Sequence, residues 1–401
     1  MGGNEATIAQ INSHLAALAR WPGGRPVGSP ANQTAERYIA DVLRAAGYEV
    51  EQQRFDCIDW RLDSVELWVG DGPLPVMANP YSPPGDVTAS LAAVATLAEL
   101  EATDLGGRIA LLHGALSAEP LFPRNYPFFT VAEHQRILEL LEQKGARAVI
   151  AVSPLSTALA PIIEDGDFTL PSVTVGADVG AVLLMIERAP VTLRLRSVAY
   201  PARAANVVGR RPHPSRDKLV LSAHFDTKPG TPGALDNAAG VATVLALAEY
   251  LTADPPTNLE FVFFNGEDHY AAPGEVVYLA GGGGEFGRIA LVVNVDGVGL
   301  RDAPTTVAFF NCLDAWADAT RILMSRRPNL AEAEPWPQGD HTIFAMQGVP
   351  CIALTSGGIH SVIDSLIHTP QDTLDRLNPA QLAATVGFLA ELLAQPLPSP
   401  A

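Results

Sequence analysis

Carboxylate and imidazole side chains stand at the ends of several apolar runs in the second half of the chain. In chain order they are His224, Asp236, Glu267, Asp268, Asp296 and His368. A charged carboxylate beside a buried strand needs a partner, because removing its charge from water is unfavourable. Carboxylates and histidines without a cysteine suit a hard or borderline divalent metal ion. The residue types therefore predict a metal site.

The number of candidate ligands exceeds what one metal ion requires. A single catalytic zinc usually takes three protein ligands. A larger set suits two ions roughly 3.5–4 Å apart that share one carboxylate. Water bound to such ions becomes a nucleophile near neutral pH, and a nearby carboxylate that binds no metal can take its proton. Each residue taken alone also fits a structural role, since Asp236 alone could cap a helix.

The elements that must position these residues alternate between strands and helices. We predict strands at 205–209, 218–223, 259–265, 289–295 and 349–354. We predict helices at 238–251, 314–326, 342–346 and 379–393. This alternation predicts an α/β fold, with a mixed, mostly parallel sheet sandwiched by helices. Ligands bind at the carboxyl ends of the strands in such sheets, which is where the acids and histidines stand.

Three regions are expected along the chain. Residues 1–78 form the N-terminal part of the catalytic domain, and Ser29-Pro30 supplies an N-cap and first-turn pair for a helix within it. Residues 79–200 form a smaller β-rich inserted domain, and residues 201–401 complete the catalytic domain. The insert should contain four strands and one helix, at 108–113, 147–152, 170–175, 191–196 and 130–144. Its His113 and His134 are isolated, which favours structural roles.

Composition limits the partners. The 401 residues carry a formal net charge of −18, which argues against nucleic acids and anionic membranes. The 3 cysteines are far apart, so no disulfide framework is implied. No apolar run is long enough to span a membrane. The N-terminus shows no secretory signal, which favours the cytoplasm, with an extracellular location open if a signal has been removed. The oligomeric state is not indicated.

Six motifs occur in one order: HFD, GALDNAAG, NGED, NVDGVG, QGDHTIF with GVP, and HTPQDT. In this order they resemble the co-catalytic zinc aminopeptidases of clan MH. That group includes bacterial leucyl aminopeptidases, glutamate carboxypeptidase II and the transferrin receptor. The segment 79–200 resembles a protease-associated domain through GRIALL, GARAVIAV and LPSVTVGADVGAVLL. The resemblance implies the zinc exopeptidase fold and peptide substrates.

The resemblance also implies a role for each site residue. His224 and Asp296 would hold one Zn²⁺, Asp268 and His368 would hold the other, and Asp236 would bridge them. Other divalent metals are an alternative to zinc. Glu267 would be the general base that takes a proton from the bridging water and passes it to the leaving amine. Asp226 would orient the ring of His224, and Asp372 would act similarly near His368.

Two departures from the family pattern stand out. The family usually has Glu-Glu where this chain has Glu267-Asp268, and aspartate has a shorter reach. The loop must then approach more closely, or the second metal binds more weakly.

The second departure concerns the group that polarises the substrate carbonyl. Related aminopeptidases place a tyrosine between the last Asp and His ligands, and this chain has none there. His341 and His360 are the nearest candidates, and a structural role for each is equally open. His269 is expected at the surface or behind the metal ligands.

Together these features predict a dinuclear zinc aminopeptidase that attacks the first peptide bond with a metal-bridging hydroxide. Three alternatives share the fold. A glutaminyl cyclase-type acyltransferase uses one zinc, and a carboxypeptidase differs in a specificity pocket that the sequence does not show. A metal-free, receptor-like interaction protein loses ligands, whereas this chain keeps all five.

Overall fold

A computed structural model describes residues 2–20, 24–154, 159–186, 189–214, 217–251, 258–281, 286–363 and 365–395. The chain divides into two compact units. Unit 1 comprises Met1–Cys57 and Arg203–Ala401, and unit 2 comprises Ile58–Ala202. Unit 2 therefore begins earlier than the predicted residue 79, because the strand that crosses the boundary continues to Val69 and pairs with residues of unit 2.

The strands are numbered in chain order. They are β1 (Glu49–Val69), β2 (Gly72–Leu74), β3 (Met77–Ala78), β4 (Gly85–Val94), β5 (Ile109–Leu112), β6 (Ala148–Val152), β7 (Ser172–Val175), β8 (Pro190–Arg211), β9 (Lys218–His224), β10 (Asn258–Phe264), β11 (Ile289–Val295), β12 (Thr305–Phe310), β13 (Leu330–Glu332) and β14 (Cys351–Ser356).

The α-helices of the described residues are numbered in the same way. They are α1 (Gly2–Leu18), α2 (Pro30–Ala45), α3 (Leu97–Ala102), α4 (Ala132–Gln143), α5 (Ala177–Met185), α6 (Ala239–Tyr250), α7 (Pro273–Ala280), α8 (Asp314–Met324), α9 (His341–Ala345) and α10 (Pro379–Leu393). None of these helices combines the length and the apolar composition needed to cross a lipid bilayer.

Unit 1 is built on a mixed sheet in the order β13-β12-β14-β11-β9-β10-β8. Its four middle strands, β14, β11, β9 and β10, are mutually parallel, so their carboxyl ends meet at one edge. Strands β8 and β12 run antiparallel to their inner neighbours. The predicted mixed, mostly parallel sheet is confirmed.

Both faces of the unit 1 sheet are buried. On one face, Leu219 and Leu221 of β9 share a core cluster with residues of α1, α6 and α10. On the other face, Phe264 of β10 contacts the rings of Tyr278 in α7 and Phe344 in α9, with centroids 5.2 Å and 6.3 Å away. Because water reaches neither face, the parallel strands are nearly continuous apolar runs.

Helix α2 shows how local sequence sets an element of this unit. The Ser29 side chain accepts the backbone N–H of Asn32 at 3.1 Å, and Pro30 occupies the first turn. This is the predicted N-cap pair, which satisfies one of the free donors at the helix start. The helix ends two residues before Gly47, whose φ of +85° suits glycine.

Unit 2 contains its own parallel sheet. Strands β4, β5, β6 and β7 are parallel neighbours, with β8 and β3 antiparallel at the two sides. Leu112 packs in one core cluster with residues of α4, and Leu111 packs in another with residues of α5. Helices therefore cover both faces of a segment for which we predicted one helix. That unit 2 is a protease-associated domain stays a prediction.

Candidate metal centre

The predicted ligands gather at the carboxyl edge of the unit 1 sheet. His224 is the last residue of β9 and lies opposite Phe264, the last residue of β10. Asp296 directly follows β11, which pairs with the other side of β9. A short turn after β10 carries Glu267 and Asp268. The strand register thus brings residues far apart in the chain to one place.

One group of side chains forms around the ring of His224. Its Nε2 lies 3.0 Å from Oδ1 of Asp236 and 3.4 Å from Oδ1 of Asp296. Glu267 is farther away, with Oε2 at 4.0 Å from the same nitrogen. One atom from each of His224, Asp236 and Asp296 can reach a common ion.

A second group forms around His368. Its Nε2 lies 3.0 Å from Oδ2 of Asp236 and 3.2 Å from Oδ1 of Asp268. The two carboxylate oxygens of Asp236 therefore face two different histidines. His368 has φ = +58°, a backbone conformation uncommon for residues other than glycine. Such outliers persist where the surrounding structure fixes them, and they are frequent at functional sites.

Two further carboxylates hold the backbone of the ligand loops. Asp226 accepts the N–H of Gly266 at 2.8 Å and that of Asp268 at 3.1 Å, and its Oδ1 lies 3.6 Å from Nδ1 of His224. Asp372 accepts the N–H groups of Leu235 and Asp236 at 2.7 Å and 3.0 Å. Both residues thus orient ligand-bearing backbone.

Asn237 joins the Asp236 loop to the strand that precedes Asp296. Its side-chain amide donates to the carbonyl of Val295 at 3.0 Å, and its oxygen accepts the N–H of Gly240 at 2.9 Å. The start of α6 is thereby tied to the end of β11. This contact fixes the spacing between Asp236 and Asp296.

Arg25 is a component of the site that the sequence did not reveal. Its guanidinium is fully buried and donates to four backbone carbonyls, those of Leu18, Phe225, Pro232 and Gly233. Three of them lie on the loop between His224 and Asp236. Burial lowers the pKa of Arg25 to about 10, although nearby carboxylates oppose this effect. The only sequence signal was an arginine in a Gly/Pro-rich loop.

The charges in this centre favour a cation. Burial opposes protonation of His224, but Asp296, Asp226 and Asp236 raise its pKa well above the ordinary value. Against burial, Asp268 and Asp236 raise the pKa of His368 to about 10. Without a metal ion the two histidines thus hold protons that balance the carboxylates. A divalent cation would replace these protons, because metal-binding histidines are neutral.

Unpaired polar atoms support the same conclusion. Neither ring nitrogen of His224 makes a hydrogen bond within the described residues, and Oδ2 of Asp268 is likewise buried without one. Buried polar atoms without partners are rare in native proteins and call for an explanation such as an ion. The donor set, two histidines and three carboxylates, fits zinc or another divalent metal.

Glu267 is more exposed than Asp268, the next residue in the chain. Its side chain is 22% exposed, against 3% for Asp268. Burial raises the pKa of Glu267 well above its ordinary value, and the carboxylates Asp268, Asp296 and Asp236 add to the rise against the effect of His224. A carboxylate with a raised pKa beside a metal site has the properties of a general base.

The backbone that presents Glu267 requires a glycine. Gly266 has φ = +139°, and a Cβ at this position would lie 2.6 Å from Cδ of Pro273. Any other residue would collide with the start of α7. The NGED motif is therefore constrained by the backbone as well as by its acids.

Two buried carboxyl groups near the site were also not predicted from the sequence. Glu275 of α7 and Asp340 before α9 are each 2% exposed, and within the described residues Oε2 of Glu275 and both carboxyl oxygens of Asp340 make no hydrogen bond. Burial raises the pKa of Glu275 to about 8, and it raises that of Asp340 well above the ordinary value, with Glu275 contributing. Near neutral pH at least one of these two buried carboxyl groups therefore holds a proton.

The candidates for the missing tyrosine lie in different environments. His341 is buried, its Nε2 lies 3.1 Å from the carbonyl of Trp336, and burial lowers its pKa to about 4. His360 is exposed and contacts the ring of Trp336. His269 is buried and stacked on Tyr270, so the surface position considered for it is wrong.

Comparison with known proteins gives a family match over the second half of the chain. Residues 206–393 match the model described as "Peptidase family M28". This region contains every predicted metal ligand and agrees with the resemblance carried by the sequence motifs.

Two curated relatives and one solved structure extend the comparison. "Aminopeptidase YwaD" of Bacillus subtilis is 24% identical over 402 residues, 94% of this chain and 80% of its own. "Probable lipoprotein aminopeptidase LpqL" of Mycobacterium tuberculosis is 25% identical over 261 residues, 61% of this chain but only 49% of its own length. A solved zinc aminopeptidase from Bacillus subtilis has a TM-score of 0.77 at 20% identity, covering 96% of this chain and 94% of its own. The last likeness shows the fold.

Proposed function

Because residues 206–393 match the model of peptidase family M28, we propose that the chain is an aminopeptidase of this family with a centre of two zinc ions. The observation that carries the proposal is the position of Asp236. Its two oxygens face His224 and His368 at 3.0 Å each, as a bridging carboxylate requires. Both curated relatives are named as aminopeptidases and the solved structure as a zinc aminopeptidase, which supports the choice.

Two of the three groups of described side chains that could hold an ion support the following division of the residues. His224 and Asp296 would hold one ion, His368 and Asp268 the other, and Asp236 both. When bound, zinc supplies Lewis-acid polarisation of the substrate carbonyl and lowers the pKa of water. Asp226 accepts the N–H groups of Gly266 and Asp268. These hydrogen bonds would hold the turn that carries Asp268 in the position needed for metal binding.

Glu267 would act as the general base of peptide hydrolysis. It would take a proton from the attacking water and deliver it to the nitrogen of the leaving amine as the peptide bond breaks. Its pKa, raised by burial and by three carboxylates, makes it a stronger base than an exposed glutamate. A bound cation would offset part of this rise, leaving the group charged and able to accept the proton.

The first test is Glu267→Gln, assayed with leucine anilide in the zinc-loaded protein. We expect the rate to fall by about 10²–10⁴, because the base is lost, while the zinc content is unchanged. Glu391→Gln is the matched control, since this glutamate on α10 pairs with Arg327 and has an exposed side chain. Full activity in the Glu267 variant would contradict the assignment.

Mass spectrometry of unlabelled peptides tests which end of the substrate is shortened. We expect residues to be removed from the free N-terminus, and we expect an N-acetylated peptide to persist. Shortening from the C-terminus would indicate a carboxypeptidase. Loss of ammonia from an N-terminal glutamine, with the chain length unchanged, would indicate a cyclase. Either result would overturn the proposed aminopeptidase activity.

A further inference from the structure

Lys228 lies beside the metal centre without a role in the proposed reaction. It stands on the loop between β9 and α6, two residues after Asp226. Its Nζ is 3.9 Å from Oδ1 of Asp268, the same oxygen that lies 3.2 Å from His368. The Lys228 side chain is 18% exposed, and that of Asp268 is 3% exposed. An ammonium group thus approaches a ligand atom of one metal subsite.

The two subsites consequently differ in charge. Subsite A, around His224, has the carboxylate of Asp296, and the carboxylate of Glu267 lies within 4.0 Å of the histidine nitrogen. Subsite B, around His368, has the carboxylate of Asp268, whose Oδ1 lies 3.9 Å from the ammonium group of Lys228. Asp236 serves both. Among the described residues, and with Asp236 set aside, subsite A thus has two carboxylates, whereas the carboxylate of subsite B lies beside a positive charge.

Charge is decisive for a divalent ion in a buried site. An ammonium group a few ångströms from the ion repels it, and the low dielectric of the interior strengthens the repulsion relative to water. Oδ1 of Asp268 cannot interact fully with both cations at once. Aspartate also has a shorter side chain than glutamate, so Asp268 has less freedom to turn away from Lys228.

We propose that Lys228 makes the two metal subsites unequal, so that subsite A binds its ion tightly and subsite B binds the second ion weakly. The inference rests on the proposed two-metal function and adds a property of this chain to it. The protein then loads in order, and the second ion depends on the available metal concentration. Lys228 acts on the ion through Asp268 and through its own charge, so it is a positioning residue.

Metal binding itself is the test. Metal-free protein is titrated with Zn²⁺ against a chromophoric chelator, and the bound metal is counted by mass spectrometry after gel filtration. We expect the wild type to bind its second equivalent at least about tenfold more weakly than its first. In Lys228→Met, which is one atom shorter and removes the charge, the second equivalent should bind at least about tenfold more tightly. Its first equivalent should be unchanged.

Lys228→Arg is the matched control, because it keeps the positive charge and should keep the unequal affinities. Lys228→Gln provides a second neutral variant in case the methionine variant is not folded by circular dichroism. Equal affinities in the wild type would overturn the inference. An affinity ratio that is unchanged in the folded neutral variants would overturn it as well.

The result is separable from the proposed function. If the fully loaded wild type cleaves no peptide, the proposed aminopeptidase activity fails, while the affinity ratio still decides the role of Lys228. If the wild type cleaves leucine anilide and the neutral variants show the wild-type ratio, only the inference about Lys228 fails.

Discussion

Parallel strands run side by side in both units, and their carboxyl ends carry different side chains. In unit 1, β9 ends in His224, and Asp296 follows β11 directly. In unit 2, β5 is followed by His113 and β6 by Ser153, whereas the turn after β4 starts with an alanine. Among the described residues, every group of side chains able to hold a metal lies in unit 1. A parallel sheet therefore supplies a place for a site, and the residues at its edge decide whether one exists.

Three buried acids near the metal centre of unit 1 differ in their partners from Asp165, a buried acid of unit 2. In unit 2, Asp165 accepts hydrogen bonds from Arg124, whose guanidinium also binds Glu142. In unit 1, Asp236 and Asp268 face histidines, and Glu275 faces another acid. An arginine neutralises a carboxylate permanently, whereas a histidine can exchange its proton for a metal ion. The partner therefore distinguishes a structural acid from a candidate ligand.

The largest effect in this comparison is expected from removing one buried aspartate of each kind. Asp236→Ala should weaken the binding of both zinc ions by more than about 100-fold and abolish hydrolysis, because both ions lose a direct ligand. Asp165→Ala should keep both ions and instead destabilise unit 2 by about 3 kcal/mol, since it leaves Arg124 without one partner. Zinc content and calorimetric unfolding measure the two effects.

The comparison breaks if the two variants behave alike. Retention of two zinc ions by Asp236→Ala would remove the central element of the dinuclear site. Loss of zinc from Asp165→Ala would show that a structural acid of unit 2 also governs the metal centre.

The next effect concerns the pH dependence of stability in the metal-free protein. The pKa of Glu275 is raised from its ordinary value to about 8, so between about pH 4.5 and 8 the folded state holds a proton that the unfolded state releases. Stability therefore falls as pH rises through this window. Glu275→Gln should remove the contribution of Glu275 to this fall, which makes the variant more stable relative to wild type at pH 8 than at pH 5, by on the order of 2–4 kcal/mol.

Glu142 of unit 2 provides a control, because its pKa is lowered, whereas that of Glu275 is raised. Burial raises its pKa, but hydrogen bonds from Thr169 and Arg124 lower the pKa overall. Its contribution to stability is present above the unfolded pKa and is lost only as pH falls below it. Between pH 5 and 8, the difference between Glu142→Gln and wild type should stay constant. Calorimetry in the presence of a chelator tests both variants, and a Glu275→Gln stability curve parallel to that of the wild type would contradict the raised pKa of Glu275.

Much of the edge of the unit 1 sheet was predictable because its residues carry strong local signals. The strand at 289–295 matches β11, and the helix at 379–393 matches α10. His224, Asp268 and Asp296 each follow an apolar run, so a parallel sheet had to bring them together. That these residues bind metal ions is a proposal.

The remaining features depend on long-range packing that one sequence does not display. Arg25 donates to the carbonyl of Phe225, 200 residues away in the chain. The residues adjacent to Arg25 in the sequence do not predict this contact. Glu275 stands on a short helix and Asp340 directly before another, and the two come near each other only once the sheet has formed. Helix α7 was missed because Pro273 and Gly274 precede a stretch too short for clear periodicity.

The smallest expected effect comes from a histidine of unit 2. Nδ1 of His134 accepts the backbone N–H of Phe122 at 2.9 Å. Its Nε2 lies 3.5 Å from Oε1 of Glu119. His134→Ala should cost about 1 kcal/mol, because it leaves one amide without a partner. Hydrolysis and zinc content should change less than about twofold. Hydrogen exchange should show faster exchange of the Phe122 amide, with the amides of β9 unaffected. A loss of zinc would instead place His134 among the metal-binding residues, and the contrast between the histidines of the two units would fail.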